Sequence, residues 1–417
     1  MNGGGDRVNG GATARERRRD RVSGAALLAG YAADLATGDP ARWHPVAGFG
    51  RLAGAAERLA YAPSRLRGAV VTATLVAAAA AAAELVARRS SRRATLVAVT
   101  WGALGGRSLR REARAVGECV RRGELDHARE ALRSLCGRDA TELDAPALCR
   151  AVVESLAENT SDAVVGALVW GAVGGPSGVV AYRAVNTLDA MFGHRDERYR
   201  AFGWSAARLD DVMNWPAARL SAALTCLVAP LVGGSPIRTL ATVRRDGPSH
   251  PSPNAGRVEA AFAGALGVRL GGPLVYKGVG EVRPYLGNGR VATPGDIQRA
   301  ARLSLAVSTL AALLTAAARR WCVVGAVIGT AWHAALEHDD FRRALLARVA
   351  AAPGRRFVAG SGSFSAARAA RLDALGDLVA DHLDTSALVS LIDHGAPADL
   401  PRIDTEVRDL AALRHHS

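Results

Sequence analysis

The feature that most constrains this chain is a series of uncharged runs, most of them close to the length of a membrane crossing. A helix needs about 20 apolar residues to span the hydrocarbon of a bilayer. The best runs are Gly68 to Ala83, Ala163 to Tyr182, Leu220 to Ile237, Leu303 to Ala318 and Trp321 to Trp332, with shorter ones at Val22 to Ala33 and Ala94 to Gly106. Most are short and rich in alanine or glycine, so hydropathy alone also permits the buried helices of a soluble protein. Arginine decides the reading: Arg15 to Arg21, Arg88 to Arg93 and Arg319 with Arg320 flank the runs, as basic residues flank spans on the cytoplasmic side. The expected fold is mainly α, a polytopic helical membrane bundle with cytoplasmic helices and Gly/Pro-rich loops. If all three clusters are cytoplasmic, simple alternation fails, and at least one run is re-entrant or not a span.

Composition agrees with close helix packing, since hydrophobic residues make up 49% of the chain and aromatics only 5%. The net charge of +14 is carried by arginine, Lys277 being the sole lysine. Such a surface suits phosphates or anionic lipid headgroups. A nucleic-acid partner is not expected, because neither zinc-ligand spacing nor an aromatic and basic platform appears. The five cysteines include no C-x-x-C pair, which fits reduced thiols in a protein facing the cytoplasm. Residues 1–22 read as a disordered basic N-terminus, 23–336 as the membrane domain, and 337–417 as a soluble helical extension. Within the domain, Arg107 to Leu135 has the pattern of a solvated helix or helix pair, and Gly247 to Gly289, rich in glycine and proline, that of a long set of loops.

Chemistry concentrates at the ends of the runs. Glu154, Glu158 and Asp162 recur every four residues ahead of Ala163, so on a helix they share one face. Like charges at that spacing repel unless a cation such as Mg²⁺ offsets them. Asn159 lies among them. Beyond the run come Tyr182, Arg183, Asn186 and Asp189, then His194, Arg195, Glu197 and Arg198. This alternation of oxygen ligands with cations suits a metal–phosphate site. Arg208, Asp210, Asp211 and Asn214 form a second such cluster, and Asp162, Asp189, Asp210 and Asp211 are the candidate metal ligands. His250 and Asn254 stand in a proline-rich turn, with Asn254 at a helix N-terminus whose free amides suit phosphate. Lys277 and Arg283 follow as possible phosphate contacts, and His44 occupies a Trp-His-Pro turn near Asp34 and Asp39. No Walker A loop, G-x-G-x-x-G turn, H-E-x-x-H pair or nucleophile elbow is present. Any nucleotide chemistry must therefore use carboxylates and arginines.

These segments together resemble the CobD/CbiB family of cobalamin biosynthesis proteins. The resemblance rests on DLATGDPARWHPVAGFG from Asp34, ESLAENTSD from Glu154, the stretch from Tyr182 to Arg219 containing VNTLD and ARLDD, and the stretch from His250 to Pro284 opening HPSPNAG. It implies an enzyme of the cell (inner) membrane with its active site facing the cytoplasm. The implied reaction joins the corrinoid cobyric acid to aminopropanol or aminopropanol phosphate, using ATP and Mg²⁺. It further implies catalytic roles for Glu154, Glu158, Asp162, Asp189 and His250. Contacts to substrate or phosphate would come from His44, Asn159, Arg183, Asn186, Arg198, Arg208, Asn254, Lys277 and Arg283. Association with other enzymes of the pathway is compatible with this reading. A transporter or a scaffold for corrinoid enzymes is the alternative, but a transporter calls for acidic residues inside the runs and an internal repeat.

Overall fold

The computed structural model describes residues 24–38, 44–137, 139–194, 196–276 and 279–322. The chain divides into two units, 1–326 and 327–417, and all described residues lie in the first. The basic N-terminus, Lys277, Arg195, the run from Trp321 beyond Cys322 and the extension from residue 337 lie outside the described residues.

Among the described residues the fold is helical, with one exception. Helix α1 covers residues 24–37, and α2 is Pro45–Ala60, α3 Arg65–Arg89, α4 Arg92–Ala103, α5 Gly106–Arg122 and α6 Leu125–Leu132. There follow α7 (Ala145–Thr160), α8 (Gly166–Phe192), the short α9 (Tyr199–Phe202), α10 (Trp204–Val228), α11 (Pro236–Asp246), α12 (Ala255–Leu266) and α13 (Pro294–Cys322). The polar stretch from Arg107 is thus the helix pair α5 and α6. The glycine- and proline-rich stretch is more ordered than its composition suggests. It contains α12 and an antiparallel hairpin of β1 (Leu270–Tyr276) and β2 (Val279–Leu286).

Local chemistry sets these boundaries. Ser64, Ser91, Asp144 and Ser235 accept a hydrogen bond from the amide three residues on, satisfying one of the orphan donors of a helix start. Proline opens α2, α11 and α13, where its missing N–H costs nothing. Asp296 fixes the start of α13. Its buried carboxylate accepts from Arg290 at 2.6 and 2.8 Å, from Arg299 at 2.8 Å, and from the Thr293 amide and hydroxyl at 2.9 and 2.7 Å. Arg299 also reaches the carbonyls of Val232 and Leu266, so one carboxylate locks α13 to the turn that follows α10 and to the end of α12.

The core is built from α7, α8, α10, α12 and α13, whose leucine, valine and alanine side chains form one continuous cluster. Among the described residues, four helical segments are long and apolar enough to cross a membrane: Arg65–Arg89, Ala145–Phe192, Trp204–Val232 and Pro294–Ala318. Helix α3 shows the membrane character most plainly. Protein covers little of it, and Leu66, Val70, Leu85 and Val86 are exposed. An apolar face left uncovered along a whole helix matches hydrocarbon as its solvent.

The run from Ala163 to Tyr182, close to the length of one span, folds back on itself. Helix α7 continues through a π-helical turn at Ser161–Val165 into α8, but Gly175 inside α8 has φ 65° and ψ −142°. Pro176 then starts a second arm. The return is demonstrated by the Tyr182 hydroxyl, which lies 2.8 Å from the carbonyl of Asp162. Twenty residues of straight helix would separate those positions by about 30 Å. Glycine is required at the reversal because φ is positive there. Gly178 is also needed, since a Cβ on it would lie 2.2 Å from the Trp170 carbonyl oxygen of the opposite arm.

Candidate functional site

Folding the run back brings its two charged ends together. In an unbroken helix, Asp162 and Asp189 would be about 40 Å apart. Here Asp162 lies within electrostatic reach of Asp210, Glu158 and Asp189, with Arg183 as the neighbouring cation. Asp189 in turn feels Asp210, Asp211 and Glu158. The two constellations flanking the run and the third on α10 therefore form a single acidic site. Glu158 is exposed, Asp162 and Asp189 are half-buried, and Asp210 is buried.

Neutral amides organise this site. Asn214, 1% exposed, donates from Nδ2 to Asp210 Oδ2 at 2.8 Å, and Asn186 Nδ2 stands 3.4 Å from Asp210 Oδ1. Arg183 donates to Asn186 Oδ1 at 3.0 Å. Tyr182 Oη, 2.6 Å from Asn214 Oδ1, links α8 to α10. Asp189 folds over the end of its helix, where a Cβ on Gly193 would lie 1.9 Å from Asp189 Oδ1. Arg208 is exposed and pairs with Asp211 at 3.4 Å.

A second loop docks beside this cluster. Asn254 occupies the N-cap position of α12, yet its side chain caps nothing. Its Nδ2 donates to the Asp211 carbonyl at 2.8 Å and its Oδ1 accepts from Arg219 at 2.8 Å. Capping falls to Ser252, whose hydroxyl accepts from the Asn254 and Ala255 amides. The α12 N-terminus is thereby held against the turn of α10 that carries Asp211. Arg219, which also stacks on Trp215 at 4.4 Å, was not singled out in the sequence.

Other expected residues are placed elsewhere. The Glu154 carboxylate accepts from the Gly271 amide at 2.7 Å and anchors the β-hairpin. His250 is buried in its turn, its Nδ1 accepting from the Ser252 amide at 3.1 Å and its Nε2 lying 3.9 Å from Glu259. His44 caps α2 through the Val46 amide, and Asn159 bonds back to the Ser155 carbonyl. Arg198 stacks on Tyr61 and pairs with Glu57 at 2.8 Å, and the hydrogen bond to Glu57 holds its guanidinium above the usual arginine range. Arg283 lies on β2 opposite Gly272.

Whether the acidic site suits a divalent cation is a question of its donor set. Among the described residues, no three Asp, Glu, His or Cys side chains already stand as a complete ligand shell. Magnesium does not need one, because it takes one or two carboxylates and completes its octahedron with phosphate oxygens and water. Among the described residues, the five carboxylates outnumber the arginines Arg183 and Arg208 beside them and leave an excess of negative charge that such a cation would offset, so the residues fit it.

Comparison with known proteins supports the same segments. The family described as CobD/Cbib protein matches residues 27–304. The chain is 49% identical to the cobalamin biosynthesis protein CobD of Mycobacterium tuberculosis over 291 residues, covering 69% of this chain and 93% of the relative. It is 45% identical to CobD of Chromobacterium violaceum, over 65% of this chain and 88% of the relative. To CobD of Pelobacter propionicus it is 39% identical, over 67% and 91%. No solved structure matches it.

Proposed function

The chain belongs to the CobD/CbiB family, and from that premise we propose that it forms the amide bond between a propionate carboxylate of cobyric acid and aminopropanol or its phosphate. The role in cobalamin biosynthesis follows from the relatives; the reaction is our reading of the site. One observation supports it above the others: Glu158, Asp162, Asp189, Asp210 and Asp211 gather beside Arg183 at the open end of a helical hairpin.

A carboxylate does not condense with an amine in water at a useful rate. It must first be activated, and transfer of the γ-phosphoryl group of ATP to a carboxylate oxygen does so, releasing ADP. Nitrogen then attacks the acyl carbon, inorganic phosphate leaves, and a base takes the ammonium proton. Bound Mg²⁺ would screen the phosphate charge and polarise the transferred group. Asp162 and Asp189 are the side chains placed to hold it, with Asp210 fixed behind them by two asparagines. Arg183 is placed to meet negative charge developing on the transferred group. The positive, N-terminal end of α12, two of whose amides are bound by Ser252, lies beside Asp211, where the helix dipole favours negative charge. Glu158, exposed at the rim, is the group best placed to accept the proton from the incoming amine. The site faces the cytoplasm, where ATP is found, and the bundle resides in the cell membrane.

The test is direct: detergent-purified protein given cobyric acid, ATP, Mg²⁺ and aminopropanol phosphate, with products read by mass. The expected product has the mass of the two substrates less one water, and it depends on ATP. Corrinoid binding with no ATP-dependent product would favour the scaffold reading instead.

A further inference from the structure

We infer that Tyr182 and Asn214 are positioning residues, which set the spacing between Asp162 on the first hairpin arm and Asp210 on α10. This rests on the proposed reading that those carboxylates hold Mg²⁺ and ATP. Tyr182 is fully buried, and its hydroxyl lies 2.8 Å from the Asp162 carbonyl oxygen and 2.6 Å from Asn214 Oδ1. A phenol has one proton for these two acceptors. The orientation of Asn214 is fixed from its other side, because its Nδ2 donates to Asp210 Oδ2 at 2.8 Å and an ionised carboxylate only accepts. Asn214 therefore turns its oxygen to Tyr182, and the phenolic proton is shared between an amide of α10 and the peptide that carries Asp162.

Two further features make this contact a built one. Gly166 leaves room for the ring, since a Cβ there would lie 2.1 Å from Tyr182 Oη. The accepting carbonyl belongs to the π-helical turn at Ser161–Val165, a distortion frequent at functional sites. Tyr182 touches neither reacting atoms nor phosphate in this arrangement. It acts through the backbone of Asp162 and, by way of Asn214, through the carboxylate of Asp210. Trp170 Nε1 donates to the Met213 carbonyl at 2.9 Å, so the first arm and α10 are also joined one residue before Asn214.

The experiment compares Tyr182→Phe with Tyr31→Phe. Tyr31 is likewise buried, with its hydroxyl bonded to Thr309 at 2.8 Å, and it lies outside the site. Detergent-purified proteins are titrated with Mn²⁺ in the presence of a non-hydrolysable ATP analogue, with binding read by electron paramagnetic resonance. Melting temperature, kcat and KM for aminopropanol phosphate are measured alongside. Tyr182→Phe should weaken Mn²⁺ binding and lower kcat, each by about tenfold, with the amine KM within twofold of wild type. Tyr31→Phe should change neither. A Tyr182→Phe protein that melts earlier but keeps wild-type Mn²⁺ affinity and kcat overturns the inference and leaves the proposed function intact. Wild-type protein that binds no Mn²⁺ with the analogue overturns both.

Discussion

Two groups of charge in this molecule are built on opposite principles. Around Asp296, every oxygen has a donor: two arginines, a threonine hydroxyl and an amide surround one carboxylate. At the hairpin mouth the ratio is inverted, with the carboxylates of Asp162, Asp189, Asp210, Asp211 and Glu158 outnumbering the described arginines beside them, Arg183 and Arg208. The first group is complete and ties three helices together. The second stores repulsion that a ligand can relieve, which is how binding energy is made available at a site. A carboxylate that is already neutralised by its own fold has little left to offer a substrate.

The sharpest way to break this contrast is to neutralise the acidic site. Asp162→Asn or Asp189→Asn should lower turnover by about a hundredfold or more, while melting temperature stays level or rises because a repulsion is removed. Product mass assays and thermal melts in detergent check both halves. Asp296→Asn should do the reverse. It leaves Arg290 and Arg299 short of a buried partner and should cost about 3 kcal/mol of stability, with turnover per folded molecule within about twofold of wild type. Loss of activity without loss of stability in that variant would erase the distinction between the two groups.

Arg198 sharpens the comparison from the cationic side. Its guanidinium is bound to Glu57 and stacked on Tyr61, so it is expected to behave like the arginines around Asp296. Arg198→Lys keeps the charge but loses the planar contact. The expected result is an earlier melt with KM for ATP within about twofold, whereas a large rise in that KM would return Arg198 to the phosphate site.

The smallest effect concerns Asp246, which accepts from Arg245 and from the Gly287 amide at the end of the hairpin. The Arg245 hydrogen bond holds its carboxyl below the ordinary aspartate value. The resulting stabilisation is present above an unfolded value of about 3.9 and fades as pH falls through the lowered folded value. Wild type should therefore out-melt Asp246→Asn at neutral pH by an amount worth about 1 kcal/mol or less. The gap should close in acid below about pH 4.

Much of this was legible in the sequence. The helical class, the paired helices after Arg107 and the residue types at the run ends follow from periodicity and composition, and the family likeness covers the same segments. That Asp162, Asp189, Asp210 and Asp211 belong to one site follows from the cost of leaving such carboxylates without a shared cation; how the chain brings them together was not legible, because spacing along a helix says nothing about where a helix turns back. A signal was present, since Gly174-Gly175-Pro176 stands in mid-run and such a triplet marks a turn. It was hidden by the apolar residues on both sides. Glu154 shows the opposite limit: it shares a helix face with Glu158 in the sequence, but the β-hairpin claims its carboxylate. Tyr182 and Asn214 fall inside recognised motifs, but their bonds cross from one helix to another. Asp296 gave no sign, because its arginines stand six residues before it and three after, in an otherwise ordinary helix start.

The reversal at Gly175 also governs parity. A segment that leaves Asp162 and returns to the level of Asp189 contributes an even number of crossings, whatever depth its tip reaches. Counted from hydropathy as a single crossing, the same run would reverse the direction given to α10 and α13 and move the β-hairpin to the opposite side of the bilayer. The orientation of almost half of the described chain thus depends on the handedness of one glycine's backbone.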